Sequence, residues 1–374
     1  MVNYKRLFVL PLLIAVLFSG TAYADGQNLP VLHEIYADHF EIGFAARQSF
    51  WLDEPLLAHF NTVTPENMMK WEAIHPRLGV YTFGNADYLV KYAEDNGMNV
   101  VGHTLVWHSQ TPDWVFTDEN GNDLSREELL ARMEDHIKTV VGRYKGRIKG
   151  WDVVNEAVEQ NPVTGKWELR DSKWKRIIGD DFIEYAFKFA HEADPEAELY
   201  YNDYSATDPG KRDAIYNMVK GLLDKGIRVD GIGMQGHWDM GYPGPQQIKE
   251  AIELYSSLGV KVHITELDIS VFAWNDRSNP YRSGLPEEVS ARLAERYTQV
   301  FRVFKEYSDV IDRVTLWGVK DNHSWKNNFP VSGRSDYPLL FDSRGQAKPA
   351  FWGVVAAGLD EASWQDARQA FLGQ

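Results

Sequence analysis

The sequence contains no cysteine among its 374 residues. Disulfide bonds, thiolate metal ligands and a cysteine nucleophile are therefore all excluded. Without disulfides, the stability of the fold must come from a large hydrophobic core, which a chain of this length can supply. The composition agrees with this, because 44% of the residues are hydrophobic and 25% are charged, as in ordinary globular proteins.

Positive charge is also scarce, with 39 lysines and arginines against 54 aspartates and glutamates. The resulting net charge of −15 at pH 7 repels phosphate backbones, so we expect no nucleic-acid partner. The same charge disfavours polyanionic substrates and suits a neutral one.

A hydrophobic run long enough to span a bilayer is missing as well. The run at residues 7–18 is too short; it follows Lys5 and Arg6 and precedes small residues that end in Ala22-Tyr23-Ala24. This order predicts a signal peptide over residues 1–24, with a membrane anchor as the alternative. We expect an exported protein, periplasmic or secreted, with no membrane attachment after cleavage.

Several common catalytic motifs do not occur. The sequence has no G-x-S-x-G elbow, no P-loop, and neither an H-x-H nor an H-E-x-x-H pattern. His103 and His108 are five residues apart, which places them on opposite faces of an extended segment. We therefore expect no metal site.

What the sequence does contain is a regular alternation of strand-like and helix-like segments, with no internal repeat or linker. The strand-like segments are residues 41–46, 61–65, 98–107, 148–155, 199–204, 231–238, 260–269 and 313–319. The amphipathic helical segments between them are residues 86–96, 125–143, 181–193, 209–225, 245–258 and 286–307.

Eight strands that alternate with helices predict an α/β fold, a single-domain (β/α)8 TIM barrel. It covers residues 25–374, with a core at about residues 32–359. The alternative is a doubly wound open sheet, which usually has a glycine-rich phosphate turn after its first strand. Here ARQSFWL follows the first strand, so the barrel is favoured.

Polar side chains recur at the carboxyl ends of the predicted strands, where a TIM barrel has its active site. Alternate residues of a strand share a face, which groups these side chains into sets. The sets are His103, Leu105 and Trp107 on the third strand, Asp152, Val154 and Glu156 on the fourth, Gln235 and His237 on the sixth, and Glu266 and Asp268 on the seventh. Four strands with this pattern predict one shared polar site.

Glu156 and Glu266 are the candidate catalytic residues of that site. His237 and Asp268 can complete a Glu–His–Asp hydrogen-bond chain that keeps Glu266 ionised. Glu156 has no cationic partner in its own strand, so we expect burial among aromatic residues to raise its pKa. Two carboxyl groups whose pKa values are pushed apart form the acid and the nucleophile of a glycosidase, about 5–5.5 Å apart in the retaining type.

Seven segments in chain order carry a family resemblance. They are TPENMMKW (64–71), GHTLVWHSQTPDW (102–114), WDVVNEA (151–157), YYNDY (200–204), GMQGHW (233–238), ITELDI (264–269) and LWGVKD (316–321). Together they resemble the endo-β-1,4-xylanases of glycoside hydrolase family 10, a retaining (β/α)8-barrel family. The resemblance implies hydrolysis of internal bonds in xylan and xylo-oligosaccharides by double displacement, without a cofactor. We expect a monomer.

The same resemblance implies roles for single residues. Glu156 is the implied general acid/base and Glu266 the nucleophile, while Asn155 contacts the 2-hydroxyl of the sugar being cleaved. Lys70 and His103 match positions that bind the 3-hydroxyl of that sugar.

Further positions follow from the resemblance in the same way. Glu66, Asn67 and Gln110 match the next subsite on the non-reducing side. Trp317 and Trp325 match a pair that walls the glycone side and disfavours a hydroxymethyl group at C5.

The remaining implied positions support the bound sugar and the two catalytic carboxylates. Trp107 packs beneath the sugar that Lys70 and His103 bind. Gln235 and His237 position the two carboxylates, and Asp268 stands behind His237.

Other interpretations remain open at this point. Glu66 and Lys70 could form a helical i,i+4 ion pair, Asn155 could be a turn residue, and Trp317 could be a core residue. A lone strand-end glutamate is more often a solvated rim residue. At the level of function, the alternatives are a β-1,4-glucanase of a related barrel family and a non-catalytic sugar-binding barrel.

Overall fold

The computed structural model describes residues 29–372 and contains one closed parallel barrel. The strands are β1 (Glu41–Ala46), β2 (Thr62–Pro65), β3 (Asn99–Trp107), β4 (Gly150–Asn155), β5 (Val158–Gln160), β6 (Trp167–Leu169), β7 (Glu198–Asp203), β8 (Gly231–Met234), β9 (His237–Asp239), β10 (Lys261–Ser270) and β11 (Ile311–Leu316). Strands β5 and β6 form an antiparallel hairpin, and β9 pairs with the end of β10. The other eight strands form the barrel in the order β1-β2-β3-β4-β7-β8-β10-β11, and β11 pairs with both β10 and β1. The predicted (β/α)8 TIM barrel is thereby confirmed.

Helices connect the successive barrel strands. They are α1 (Leu32–Ile35), α2 (Glu54–Leu57), α3 (Trp71–Ile74), α4 (Gly84–Asp95), α5 (Arg126–Arg143), α6 (Lys173–Ile178), α7 (Phe182–Ala193), α8 (Pro209–Asp224), α9 (Pro245–Ser256), α10 (Glu287–Glu306), α11 (Pro349–Gly358) and α12 (Glu361–Ala367). The six predicted helical segments match α4, α5, α7, α8, α9 and α10 to within two residues at each end. None of the helices in residues 29–372 is both long and apolar enough to cross a membrane. The predicted signal peptide at residues 1–24 lies outside the described residues.

Local sequence explains where the helices begin. Ser125 starts α5 with a capping box, in which its hydroxyl accepts from the Glu128 amide and the Glu128 carboxylate accepts from the Ser125 amide. This exchange satisfies two amide groups that the first turn of a helix leaves unpaired. Pro209, Pro245 and Pro349 open three other helices, where the missing amide hydrogen of proline costs nothing.

Glycines in the strands make room for large side chains on the neighbouring strands. A Cβ atom on Gly102 would lie 2.1 Å from the ring of Trp151, and one on Gly150 would lie 2.5 Å from the Tyr200 hydroxyl oxygen. Trp151 and Tyr200 are both fully buried. The close fit of small and large residues fixes how β3, β4 and β7 align.

The regular alternation predicted for the third and fourth strands was wrong. The pairing of β3 with β4 shifts between His103 and Val106, and the pairing of β4 with β7 shifts between Asp152 and Val154. Such irregularities re-aim the side chains that follow them. The predicted sixth strand also differs, because it ends at Met234 and resumes as β9 after Gly236, whose φ is 82°.

Candidate active site

Residues within and directly after β2, β3, β4, β8 and β10 bring polar side chains together at the carboxyl-terminal mouth of the barrel. The site contains two carboxylates, Glu156 and Glu266, and the side chains that contact one differ from those that contact the other. Within residues 29–372, no group of three or more His, Asp or Glu side chains is placed to hold a metal ion.

Glu156 directly follows β4 and has a left-handed backbone, with φ of 57°. Its amide donates to the Asn202 carbonyl at 2.9 Å. Its carboxylate accepts from Gln235 Nε2 at 2.9 Å and from Trp107 Nε1 at 2.9 Å, one donor on each oxygen. A non-glycine residue in this conformation is uncommon and has to be held by its surroundings.

The expectation that the pKa of Glu156 is raised was wrong. Burial raises this pKa, but the hydrogen bonds from Gln235 and Trp107 and the charge of Lys211 together lower it below its ordinary value. The nearby His108 ring is neutral at pH 7, because burial lowers its pKa to about 4. The lowered pKa was not predicted from sequence, because Gln235 and Trp107 lie outside β4 and Lys211 lies on α8.

Glu266 lies within β10, buried between two partners. Its Oε1 accepts from Asn202 Nδ2 at 2.8 Å, and its Oε2 lies 3.0 Å from His237 Nε2. The other ring nitrogen of His237 lies 3.0 Å from Asp268 Oδ1. The three side chains therefore lie in the predicted Glu–His–Asp order, with an ion pair rather than a well-directed hydrogen bond between His237 and Asp268.

The charge of His237 follows from its two acidic neighbours. Burial lowers the pKa of His237, but Asp268 and Glu266 raise it to about 9, so the ring carries a positive charge at pH 7. Burial raises the pKa of Asp268, yet His237 and Lys326 bring it below its ordinary value. Trp325 Nε1 also donates to Asp268 at 2.8 Å, which ties the loop after β11 to this chain.

Replacing His237 by asparagine is expected to remove a pH-dependent part of the stability. A folded-state pKa of about 9, against about 6.5 unfolded, stabilises the fold fully below about pH 6.5. This contribution, roughly 3 kcal/mol, is lost as the pH rises through 9. The difference in free energy of unfolding between wild type and His237→Asn should therefore shrink between about pH 6 and about pH 10 in urea titrations.

The matched control for this experiment is His191→Asn, because His191 is exposed on α7. It removes an exposed imidazole and so controls for the loss of a histidine as such. A constant difference for His237→Asn would contradict a charged His237.

Asn155 and Asn202 connect the two carboxylates. Asn202 Nδ2 lies 3.0 Å from Asn155 Oδ1 as well as bonding Glu266, and Asn202 Oδ1 accepts from Thr265 at 2.6 Å. With its amide turned over, Asn155 would accept from Trp107 Nε1 at 3.2 Å. Asn202 lies in the YYNDY segment, but sequence reasoning gave it no role; its polar side chain on a buried strand was the available signal.

A second polar group surrounds Lys70. Lys70 Nζ donates to Asn67 Oδ1 and Gln110 Oε1, both at 2.9 Å, and lies 4.8 Å from the centre of the Trp107 ring. Residues 66–70 form turns rather than helix, so the interpretation of Glu66 and Lys70 as a helical ion pair was wrong.

Glu66 lies on the same turn, where burial raises its pKa and Lys70 opposes this. The backbone of Gln110 is left-handed, with φ of 44°, and its amide group also donates to Glu72 at 2.9 Å. The structure therefore brings Glu66, Asn67, Lys70 and Gln110 into one neighbourhood.

The remaining predicted residues pack against one another in the same site. His103 Nδ1 lies 2.8 Å from Asp152 Oδ2, with both side chains buried. The Trp317 ring centre is 5.4 Å from that of His103 and 6.3 Å from that of His237. The Trp325 ring centre is 4.9 Å from that of His237. Trp317 thus packs between two histidines of the site, although it is 8% exposed and counts as a core residue too.

A buried ion pair that sequence reasoning missed lies behind Glu156. Lys211 Nζ is 2.6 Å from Asp203 Oδ1, and neither side chain is exposed. Asp203 also accepts from the Tyr201 hydroxyl at 2.5 Å, and that hydroxyl oxygen accepts from the Ala157 amide at 3.0 Å. Burial raises the pKa of Asp203 to about 6, although Lys211 opposes this. Through the Tyr201 hydroxyl, the pair therefore fixes the position of the backbone at Ala157, immediately after Glu156.

Comparison with known proteins agrees with this geometry. The sequence profile of Glycosyl hydrolase family 10 matches residues 31–357. The chain is 50% identical over 338 residues to an endo-1,4-beta-xylanase of Geobacillus stearothermophilus, covering 88% of this chain and 99% of that protein. It is 44% identical over 361 residues to a beta-1,4-xylanase of Dictyoglomus thermophilum, covering 95% of this chain and 99% of that protein.

A solved structure extends the likeness from sequence to fold. Xylanase XynB from Paenibacillus barcinonensis, complexed with a conduramine derivative, matches with a TM-score of 0.85 and 47% sequence identity. The match covers 88% of this chain and 99% of that chain. The chain belongs to glycosyl hydrolase family 10.

Proposed function

We propose that this protein is a retaining endo-1,4-β-xylanase that hydrolyses internal β-1,4 bonds of xylan through a covalent glycosyl-enzyme. The observation that carries the proposal is the different bonding of the two carboxylates. Glu266 lies against a charged imidazole, whereas Glu156 receives only neutral hydrogen bonds. Two carboxyl groups in unlike environments can divide the roles of nucleophile and acid/base between them.

In the first step, Glu266 attacks the anomeric carbon and Glu156 protonates the departing oxygen. The positive ring of His237 and the Asn202 amide each contact one oxygen of Glu266 and so fix the orientation of this carboxylate. The leaving oxygen takes the proton of Glu156 as the glycosidic bond breaks.

The lowered pKa of Glu156 has a consequence for this step. Because the donors Gln235 and Trp107 lower the pKa of Glu156, this carboxyl group has to take up a proton when substrate binds in order to act as the acid. A bound sugar excludes water from this carboxyl group, and desolvation favours its neutral form. In the second step the same donors, Gln235 and Trp107, favour the carboxylate that removes a proton from the attacking water.

The sugar contacts in this proposal follow the positions of the polar groups. Asn155 binds the 2-hydroxyl of the sugar being cleaved, and Lys70 and His103 bind its 3-hydroxyl. Trp107 supports that sugar from below, close to both Lys70 and Glu156.

Two further groups of residues complete the binding site in this proposal. Glu66, Asn67 and Gln110 bind the next sugar on the non-reducing side, next to Lys70. Trp317 and Trp325 leave little room for a hydroxymethyl group at C5, so xylose is favoured over glucose by shape.

The purified protein is expected to release short xylo-oligosaccharides from xylan and far less product from carboxymethyl-cellulose. Proton NMR of the first products should show the β-anomer before mutarotation, because two displacements restore the starting configuration. Comparable rates on both polymers would favour the glucanase alternative. An α-anomer as first product would contradict double displacement, and no hydrolysis of either polymer would favour a sugar-binding barrel.

The proposal includes the destination of the protein. Lys5 and Arg6, the hydrophobic run at 7–18 and the small residues before Asp25 have the order of a signal peptide. We propose that the mature chain starts at Asp25 and acts outside the cytoplasm as a monomer, where its polymeric substrate is accessible.

A further inference from the structure

The turn that carries Glu156 is held in place by side chains of β7. The amide of Glu156 still donates to a backbone carbonyl of β7, as in an ordinary sheet. The next two amides, of Ala157 and Val158, donate instead to the Tyr201 hydroxyl at 3.0 Å and to Asp203 Oδ2 at 3.4 Å. Side chains replace the backbone partners here because β4 ends just before the left-handed Glu156. The position of the turn therefore depends on two side chains of β7.

The hydrogen bonds through Tyr201 can run in only one direction. The Ala157 amide can only donate, so the Tyr201 hydroxyl oxygen accepts from it and has to direct its own proton elsewhere. That proton is donated to Asp203 Oδ2 at 2.5 Å. Asp203 thereby fixes the orientation of the hydroxyl, and the hydroxyl fixes the Ala157 amide.

Asp203 makes all of its contacts as an acceptor. Besides the Tyr201 hydroxyl and the Val158 amide, it accepts from the Tyr204 amide at 2.9 Å, and Lys211 Nζ lies 2.6 Å from Oδ1. All four partners are donors, which suits a carboxylate with two acceptor oxygens. Lys211 offsets the cost of burying this charge, since neither side chain is exposed. We call Tyr201, Asp203 and Lys211 the support cluster.

Stability alone does not explain the buried ion pair of the support cluster. Replacement of such a pair by apolar residues of similar volume is often neutral or stabilising. Lys211 also lies in the first turn of α8, where the helix dipole disfavours a positive charge. The contacts of Asp203 toward the catalytic residues therefore indicate what the pair does.

A second connection links Asp203 to the carboxylate of Glu156. The Asp203 carbonyl accepts from the Gln235 amide at 3.0 Å, and Gln235 Nε2 donates to Glu156 Oε1 at 2.9 Å. Residue 203 thus holds the backbone next to Glu156 and also one of the two side chains that bond its carboxylate. Such control of position matters, because a shift of about 1 Å in a catalytic group can cost about 10²-fold in rate.

We propose that Tyr201 and Asp203, with Lys211 as the counter-ion, are positioning residues that keep the carboxyl group of Glu156 within reach of the departing oxygen and of the attacking water. This inference rests on the proposed function, which makes Glu156 the acid/base, and extends it.

The test compares Tyr201→Phe with wild type on phenyl xylobioside and on 2,4-dinitrophenyl xylobioside. The substitution removes one hydroxyl group and keeps the ring. The departing phenolate needs a proton, so kcat/KM on phenyl xylobioside should fall about tenfold. The dinitrophenolate needs none, so kcat/KM on that substrate should stay within about twofold of wild type.

The dinitrophenyl substrate also reports the second step. Its first step needs no acid, so hydrolysis of the glycosyl-enzyme limits kcat, and this hydrolysis requires Glu156 as the base. Tyr201→Phe should therefore lower kcat and KM of this substrate together, by about threefold to tenfold. A substitution that merely loosened the sugar-binding site would raise KM instead.

Tyr36→Phe is the matched control. Tyr36 is also fully buried, and its hydroxyl donates to the Val354 carbonyl at 2.7 Å, where α1 meets α11. This variant loses one buried hydroxyl group away from the barrel mouth, and its kinetics on both substrates should match wild type.

A second variant tests the same claim from the other end of the support cluster. Asp203→Leu/Lys211→Met replaces the ion pair by apolar side chains and removes the acceptor of the Tyr201 hydroxyl. It should show the same difference between the two substrates. Addition of Tyr201→Phe to it should cause less than about twofold further loss, because changes within one chain of contacts are not additive.

Equal losses on the two aryl substrates in Tyr201→Phe, or wild-type kinetics on both, would overturn the positioning proposal. The variant Glu156→Ala separates this failure from a failure of the proposed function. If Glu156→Ala itself does not discriminate between the two substrates, the proposed function fails and the positioning proposal fails with it. Discrimination in Glu156→Ala without any in Tyr201→Phe overturns the positioning proposal alone.

Discussion

The variant Glu266→Gly is expected to lose activity on xylan and on aryl xylobiosides alike, by about 10⁵-fold or more in kcat. The loss is independent of the leaving group, because the variant cannot form the covalent intermediate through which every substrate passes. Steady-state kinetics on both substrate classes measures it. Glu196→Gly, an exposed position at the opposite end of the barrel, is the matched control and should keep wild-type activity.

A small anion offers a second readout of the same variant. Azide can occupy the space left by the Glu266 side chain and attack the anomeric carbon in its place. The expected product is an α-glycosyl azide, since a single displacement inverts the configuration. A β-configured product, or a loss in kcat below about tenfold, would show that Glu266 is not the nucleophile.

The variant Glu156→Ala is expected to discriminate between leaving groups. Xylan and phenyl xylobioside need protonation of the departing oxygen, so their kcat/KM should fall by about 10²–10⁴-fold. The dinitrophenolate group of a 2,4-dinitrophenyl xylobioside departs without being protonated. The kcat/KM of Glu156→Ala on this substrate should therefore stay near the wild-type value. Azide should accelerate turnover of this activated substrate and give a β-glycosyl azide, because the intact Glu266 still forms the intermediate.

Glu196→Ala serves as the control for the second variant and should behave like wild type on all three substrates. An equal loss for phenyl and dinitrophenyl substrates in Glu156→Ala would contradict its role as the acid. It would instead indicate that the variant disturbs Glu266 through Asn202, whose carbonyl accepts from the Glu156 amide.

The architecture was predictable from sequence because it depends on local patterns. Hydrophobic periodicity located six helices, and the β-prone runs located the eight barrel strands. The Glu266–His237–Asp268 chain was also predictable, since all three residues lie near the ends of neighbouring strands. Residues two apart on a strand, such as Glu266 and Asp268, lie on the same face, so their proximity can be predicted from their sequence positions.

Other features of the site depend on contacts between distant segments and could not be predicted. The shift in strand pairing near Val153 and the left-handed conformation of Glu156 interrupt the regular alternation on which the strand analysis relied. The lowered pKa of Glu156 depends on donors from β3 and from the segment after β8, and on Lys211 of α8. The Asp203–Lys211 pair joins β7 to α8, and its sequence carries no recognisable motif.

The most direct test of the mechanism is mass spectrometry of the protein after reaction with a 2-fluoro-xylobioside that carries a good leaving group. Fluorine at C2 slows breakdown of the glycosyl-enzyme, so the intermediate accumulates. The double-displacement account predicts one xylobiosyl group per chain, attached to Glu266 and absent from Glu266→Gly. An active protein that acquires no label, or a label on any other residue, would contradict it.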